Sequence, residues 1–307
     1  STAGIISYLN KSGFEMNTLD TIIIKASGYI QSGWIDISEH RLTKMDFIYK
    51  LTNSKAALKS ITLIPGETSY VFLKRLASEF NLSEEKLTDL YNQYAYKADG
   101  NILAETYSLP IGMKEDHMIF YLFSQTNKKY EEFSKKIFGI YDKRKWYYYL
   151  SLASVIQKEA ASINEMPIVA SVIHNRLKSG MKLQMDGTLN YGEYSNTVVT
   201  AQRIKDDDTS YNTYKVNGLP KDPVCAVSLD AIKAAIFPVK SDYLYFVRDN
   251  SNGLHKFSKN YMAHVNNINA NVGVEKNYTK VKENETQIDK EAKDIMKTKP
   301  ADKVWVI

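Results

Sequence analysis

Glu159 lies in residues 152–160, LASVIQKEA, a stretch that reads as helix. Leu152, Val155 and Ile156 make one apolar stripe at helical spacing. Glu159 continues that stripe, while Gln157 and Lys158 point elsewhere. A carboxylate on the buried side of a helix costs free energy unless it is hydrogen-bonded, and burial raises its pKa. A raised pKa is what a general acid needs near neutral pH. Helical geometry alone leaves a plainer reading open, in which Glu159 sits at the stripe's edge, half solvated or paired with a Lys or Arg. A second carboxylate, Asp186, falls in 181–188, MKLQMDGT. This segment reads as a short strand with a polar turn, which puts Gln184, Asp186 and Thr188 on one face. Tyr211, Asn212, Thr213 and Tyr214 form a polar, aromatic loop with 218–220 close behind.

These residues need elements to hold them. Asn164-Glu-Met-Pro167 is a helix-start signal, and the apolar period through 168–178 predicts a helix that stops at Gly180, with Asn175 and Arg176 near its end. Residues 230–235 read as helix, and 242–247 and 255–257 as a hairpin across 250–253. Upstream, 21–25 reads as a strand, 27–36 as a glycine-turned hairpin and 43–51 as an amphipathic helix. Residues 61–68 read as a strand closed by Pro65-Gly66. Helices follow over 71–80 and from Ser83, an N-cap with Glu84 and Glu85 in the first turn. Residues 114–150 look helical and basic-aromatic, a connecting helix. From 275 the chain is charged and polar, an exposed helix or partly ordered tail whose last residues, 304–307, are apolar enough to dock back.

Composition narrows the classes. The net charge of +5 is spread along the chain, too diffuse to indicate nucleic acid. A single cysteine, Cys225, excludes an intramolecular disulfide and a thiolate metal cluster, and the five histidines lack metal-ligand spacing. No metal or other cofactor is therefore expected. No run approaches the roughly 20 apolar residues of a membrane helix. The chain opens on Ser1-Thr2-Ala3 without Met, as one lacking its native start would.

Five segments in order carry a resemblance: LASVIQKEA, VASVIHNRLKSGMKLQMDGTLNYG, SYNTYKVNGLP, LDAIKAAIFPVKSDYLYFV and HKFSKNYMAH. They are similar to the YceG-like family over about 150–270, more weakly upstream through KASGYIQSGW and DGNILAETY. The text ITLIPGETSYVFLKRLASEFNLSEEKLTDLY also resembles a LysM module, a family that binds N-acetylglucosamine-containing glycans; structural packing alone is the other reading of this unit. The YceG-like resemblance implies an endolytic murein transglycosylase. Glu159 matches the family's catalytic acid; Asn175 and Arg176 match NRL; Gln184, Asp186 and Thr188 match LQxDPT; Tyr211, Asn212, Thr213 and Tyr214 match YNTY; His255, Phe257 and His264 match the later HxF and His. Gln157 stands where the family's motif has a first Glu. Ala226, Val227 and Ser228 replace Asn-Pro-Gly, and Gly187 replaces a Pro, which should loosen that turn.

The implied chemistry suits one carboxylate. Most glycosidases use two. A lytic transglycosylase lets the sugar's own 6-hydroxyl attack the anomeric carbon, leaving a 1,6-anhydro-N-acetylmuramic acid end, so Glu159 alone serves as acid and then base. Two alternatives stand: a hydrolytic muramidase pairing Glu159 with Asp186, and a non-catalytic peptidoglycan-binding scaffold. The resemblance further implies an N-terminal membrane helix outside this sequence, a catalytic part in the periplasm at the bacterial inner membrane, and peptidoglycan synthases (penicillin-binding proteins) as neighbours. The expected fold is α+β: a small LysM-like βαα domain plus a larger mixed α+β catalytic domain. Its divisions are an α/β segment over 1–60, the LysM-like module and linker strand over 61–112, a connecting helix over 113–150, the catalytic domain over 151–274 and the tail over 275–307. Glu159 is expected to open into a cleft between the two domains, near Gln184 and Asn212.

Overall fold

The computed structural model describes residues 2–28, 30, 41–53 and 57–271. The first of three apolar cores is helical. Helices α1 (Thr2–Lys11), α2 (Thr18–Ser27) and α3 (Lys44–Asn53) meet around Leu9, Met16, Ile24, Ile48 and Leu51. The strand expected over 21–25 is helix α2. Asn17 and Asp20 form a reciprocal capping box that starts a helix there, and the isoleucine run rides on it, Ile24 buried and Ile22 exposed. The local cap outweighs the β preference of branched side chains. The described residues before β1 are thus helical, not α/β. The hairpin expected over 27–36 and the tail over 275–307 lie outside the described residues.

The second core belongs to a βααβ unit. Strands β1 (Leu58–Thr62) and β2 (Thr106–Pro110) pair antiparallel with Ile61 opposite Tyr107, and α4 (Ser69–Phe80) and α5 (Glu84–Tyr94) pack between them in sequence. Gly66 takes φ 91°, and Thr68 caps α4 by accepting from the Val71 N–H. Asn81, left-handed at φ 54°, ends α4, and Ser83 caps α5 as its sequence position implies. Leu63, Phe72, Leu76, Leu87 and Leu109 fill the interior, closed by Met118 and Leu122 of α6 (Glu115–Phe138).

The expected single connecting helix is two. Gly139, at φ 75°, closes α6; Asp142 then caps α7 (Lys143–Glu159), which runs unbroken past residue 150 to the candidate acid. Burial of Trp146, Leu150, Leu152, Val155 and Ile156 makes α7 the spine of the third core. Packed on it are α8 (Met166–Lys178), which has Pro167 in its first turn, and α10 (Leu229–Ile236). The short α9 (Ala201–Asp206) and the hairpin of β3 (Tyr245–Arg248) and β4 (His255–Ser258) complete this body, followed by a helical stretch over 261–271. Residues 181–188, expected as a strand, run irregularly and enter a 3-10 turn over Asp186–Leu189. They find no strand partner; side chains of Arg176 and Thr213 take their backbone groups instead.

Segment 223–228 ties the second and third cores together. Ala226 exchanges backbone hydrogen bonds with Gly66 (2.9 Å) and Glu67 (2.9 Å), and Val227 O accepts from Ala104 N (3.1 Å). Gly100 is required beneath this segment, because a Cβ there would stand 2.9 Å from Pro223 Cγ.

Candidate active site

Helix α7 delivers Glu159 on its last turn to the wall of a cavity of about 380 Å³. The Gly187 N–H, in the 3-10 turn, donates to Glu159 Oε1 at 2.7 Å. Burial pushes the Glu159 carboxyl up to about 7; the Gly187 N–H and Arg176 oppose the rise, and the charge of Asp186 adds to it. At pH 7 such a group is about half protonated, where an ordinary glutamate is protonated well under ~1% of the time. An acid that holds and then accepts a proton needs this balance.

Gly187 is not a slack turn. It is buried, and a Cβ there would meet Lys158 Cβ at 2.5 Å and Glu159 Oε1 at 2.7 Å. Only glycine fits this close approach, and a proline would have no N–H to offer.

The other sequence-derived residues divide. Arg176, Gln184, Asp186 and Tyr214 line the cavity with Glu159. Gln184 is exposed there with left-handed φ 52°, uncommon for a residue with a side chain. The Tyr214 hydroxyl donates to Asp186 Oδ1 at 2.6 Å, which fixes the second carboxylate. Asn175, Thr188, Tyr211, Asn212 and Thr213 do not line the cavity; they build its frame. Asn175 donates to Ser241 O and Tyr243 O, both at 2.9 Å, and so holds the approach to β3. Thr213 takes the backbone N–H of Met185 on its hydroxyl (3.1 Å) and that of Gln184 on its carbonyl (3.1 Å). Thr188 is fully buried, its hydroxyl on Met185 O. Asn212, also fully buried, donates to Ile204 O and Asp207 O. The Tyr211 ring stacks on Tyr191 at 4.1 Å. The shared face expected for Gln184, Asp186 and Thr188 fails because the 3-10 turn rotates Thr188 inward.

The opposite wall comes from the hairpin and the helical stretch after it: Tyr245, Phe246, Tyr261, His264 and Ile268. Of these only His264 was singled out from sequence. Helical spacing of Tyr261, His264 and Ile268 was the available signal. His255 is elsewhere, its Nδ1 2.9 Å from the buried Glu165. The cavity therefore lies within the third-core body, not between it and the βααβ unit. A smaller cavity of about 210 Å³ does lie at that junction, but Gln157 and Lys158 face it from the other side of α7, against Pro65 and Glu67. Two of the three departures from the family motif meet near there: Gln157 Oε1 accepts from Ser228 Oγ (2.8 Å) and N (3.2 Å), at the start of α10. Among the described residues no cluster of His, Cys, Asp and Glu could hold a metal ion, and no helix is long and apolar enough to cross a membrane.

Comparison with known proteins places the chain among relatives. A protein of Bacillus subtilis named endolytic murein transglycosylase is 29% identical over 84% of this chain and 73% of its own length. A protein of Streptococcus pneumoniae with the same name is 27% identical over 70% of this chain, which spans only 39% of that relative. The crystal structure of a YceG-like protein of Listeria monocytogenes shares the fold, with TM-score 0.57 at 22% identity over 87% of this chain and 95% of that one. The family model described as YceG-like matches residues 1–270, and the chain belongs to the YceG-like family.

Proposed function

We propose that this protein is an endolytic transglycosylase of peptidoglycan. It cleaves the β-1,4 bond between N-acetylmuramic acid and N-acetylglucosamine within glycan strands, leaving 1,6-anhydro-N-acetylmuramic acid ends. The observation that carries the reading is Glu159: a carboxyl raised to about 7, held by one backbone N–H and open to a cavity walled by aromatic rings. The relatives named endolytic murein transglycosylase support it.

Glu159 Oε1 is engaged by Gly187, so the other oxygen carries the proton to the glycosidic oxygen. As the bond breaks, positive charge grows on the ring. The carboxylate left behind removes the proton of the same sugar's 6-hydroxyl, whose oxygen closes on the anomeric carbon. No water enters. Asp186, fixed by Tyr214, supplies negative charge near the oxocarbenium-like ring. The exposed Tyr261 ring offers a face for sugar stacking. Carbohydrate contact by the βααβ unit, an anchor at the inner membrane, action in the periplasm and proximity to peptidoglycan synthases belong to the same proposal and rest on the family resemblance.

Product mass tests the chemistry. Digested peptidoglycan should yield muramoyl ends lighter by one water than hydrolytic ends. Hydrated ends would instead make the protein a muramidase with Asp186 as its second carboxylate, and tight glycan binding without cleavage would make it a scaffold.

A further inference from the structure

Arg176 is 9% exposed, yet no carboxylate pairs with it among the described residues. Its Nε donates to Leu244 O (2.6 Å) and its Nη1 to Leu183 O (2.6 Å) and Lys182 O (3.2 Å). These bonds lock the guanidinium plane. Nη2 makes no hydrogen bond among the described residues, on a side chain that lines the cavity. A desolvated cation satisfied only by carbonyls, with a free edge at a ligand cavity, is poised for an acceptor that the ligand brings.

The neighbouring rings extend that edge. The guanidinium lies over Tyr245 at 5.2 Å, and Tyr245 stacks on His264 at 5.2 Å with an interplanar angle of 25°. His264 Nδ1 is buried without a partner although its ring lines the same cavity. Burial, and then the Arg176 charge, lowers the His264 pKa, so the ring is neutral at pH 7 and has one donor and one acceptor nitrogen. Glu159 must carry its proton to act as the acid, so in the competent state it brings no negative charge to Arg176.

We propose that Arg176, with His264 beside it, recognises the acyl oxygens of the 3-O-lactyl group, so that the cavity selects an N-acetylmuramoyl residue over N-acetylglucosamine. This inference rests on the transglycosylase reading for its substrate class. The lactyl group is the one difference between the two sugars, and it ends in an oxygen acceptor in either of its forms. It is a carboxylate on glycan stripped of peptide and an amide carbonyl where a stem peptide is attached. Both suit a planar cation with one free N–H edge.

The test is calorimetric binding to the full chain carrying Glu159→Gln, which holds substrate uncut. Three four-sugar ligands are compared: chitotetraose, the alternating N-acetylglucosamine–N-acetylmuramic acid tetrasaccharide, and the same tetrasaccharide with stem peptides. The muramoyl ligands should bind about 10-fold or more tighter than chitotetraose, the range of one charge-assisted hydrogen bond. Stronger binding of the peptide-free form, weakened by salt, identifies the carboxylate as the preferred acceptor; equal binding of the two muramoyl ligands identifies a shared carbonyl. Adding Arg176→Lys should collapse the preference while leaving chitotetraose binding in place. His264→Phe, which keeps the stack and touches none of the Arg176 backbone bonds, should reduce the preference even if Arg176→Lys melts early. Equal binding of all three ligands to the singly substituted protein, or an unchanged preference in His264→Phe and a folded Arg176→Lys, overturns the proposal. Anhydro-end release by the unsubstituted protein is scored separately. Its presence beside absent selectivity sinks this inference alone; its absence sinks the functional reading.

Discussion

Gly187→Ala adds one methyl group where the structure has no room. The φ of Gly187 lies outside the left-handed region, so the substitution tests space and not backbone strain. The new Cβ would stand 2.5 Å from Lys158 Cβ and 2.7 Å from Glu159 Oε1, well inside contact distance. Either the carboxyl or the 3-10 turn must move, and the 2.7 Å bond from Gly187 N is lost. A hydrogen bond to an ionised group contributes roughly 1.5–3 kcal/mol, and one pKa unit is about 1.4 kcal/mol. The N–H favours the ionised carboxylate, so its loss should raise the Glu159 pKa by about one to two units above its present value of about 7. The acid must be protonated to act. The alkaline limb of kcat/KM should therefore move up by at least about one pH unit. The displaced carboxyl should lower kcat by about 10-fold or more at the optimum, and overpacking should reduce stability by about 1–3 kcal/mol. The assay is release of anhydro-ended fragments across the pH range, with thermal melts in parallel. A variant with unchanged kcat and an unmoved alkaline limb would refute the claim that Gly187 seats the acid.

Asp186→Asn should shift the same limb the other way, since Asp186 raises the Glu159 pKa; an unmoved limb in the same pH series removes Asp186 from the electrostatics of the acid. For Glu159 itself the folded pKa is about 7 against an ordinary 4.5, so the folded state holds the proton more tightly. Stability is then greatest below pH ~4.5 and declines as pH rises through ~7. Glu159→Gln should thus melt higher than the unsubstituted protein at pH 8, by at most about 3 kcal/mol in stability, with the gap closing near pH 4; a gap that does not depend on pH would count against a buried acid. Asn212→Ala removes two hydrogen bonds from a fully buried side chain and should cost about 1–3 kcal/mol in a denaturant melt. Glycan KM should stay as it was, and a raised KM without loss of stability would return Asn212 to the binding surface.

The sequence made Glu159 legible because helical periodicity is a local signal, and the same signal placed α8, α10, Ser83 and the two capped helices of the βααβ unit. What depends on distant partners was hidden. Nothing local tells that Gly187 abuts α7, so a glycine in a polar turn reads as freedom when it is a close approach. Alternation over 181–188 looks like a strand until Arg176 and Thr213 claim its backbone groups. The YNTY loop reads as substrate surface because it is polar and aromatic, yet Asn212 and Thr213 spend their hydrogen bonds on the frame and only Tyr214 reaches the cavity. The isoleucines of α2 misled for the opposite reason: their β preference is intrinsic, while the Asn17–Asp20 box that overrides it lies just ahead of them. The cleft between the domains was expected at Glu159, which follows Gln157 and Lys158 directly in sequence. A helix turns them to different sides, and only the first two face the βααβ unit.

The central claim is that one carboxyl, Glu159, both protonates the glycosidic oxygen and draws the 6-hydroxyl onto the anomeric carbon. Mass spectra of the newly formed muramoyl termini from peptidoglycan digested by the unsubstituted protein and by Glu159→Gln test both halves together. Anhydro-muramoyl ends should accumulate with the former and fall by about 100-fold or more with the latter, the range expected for loss of a general acid. Equal yields of anhydro ends from the two proteins, or hydrated ends from the first, would contradict it.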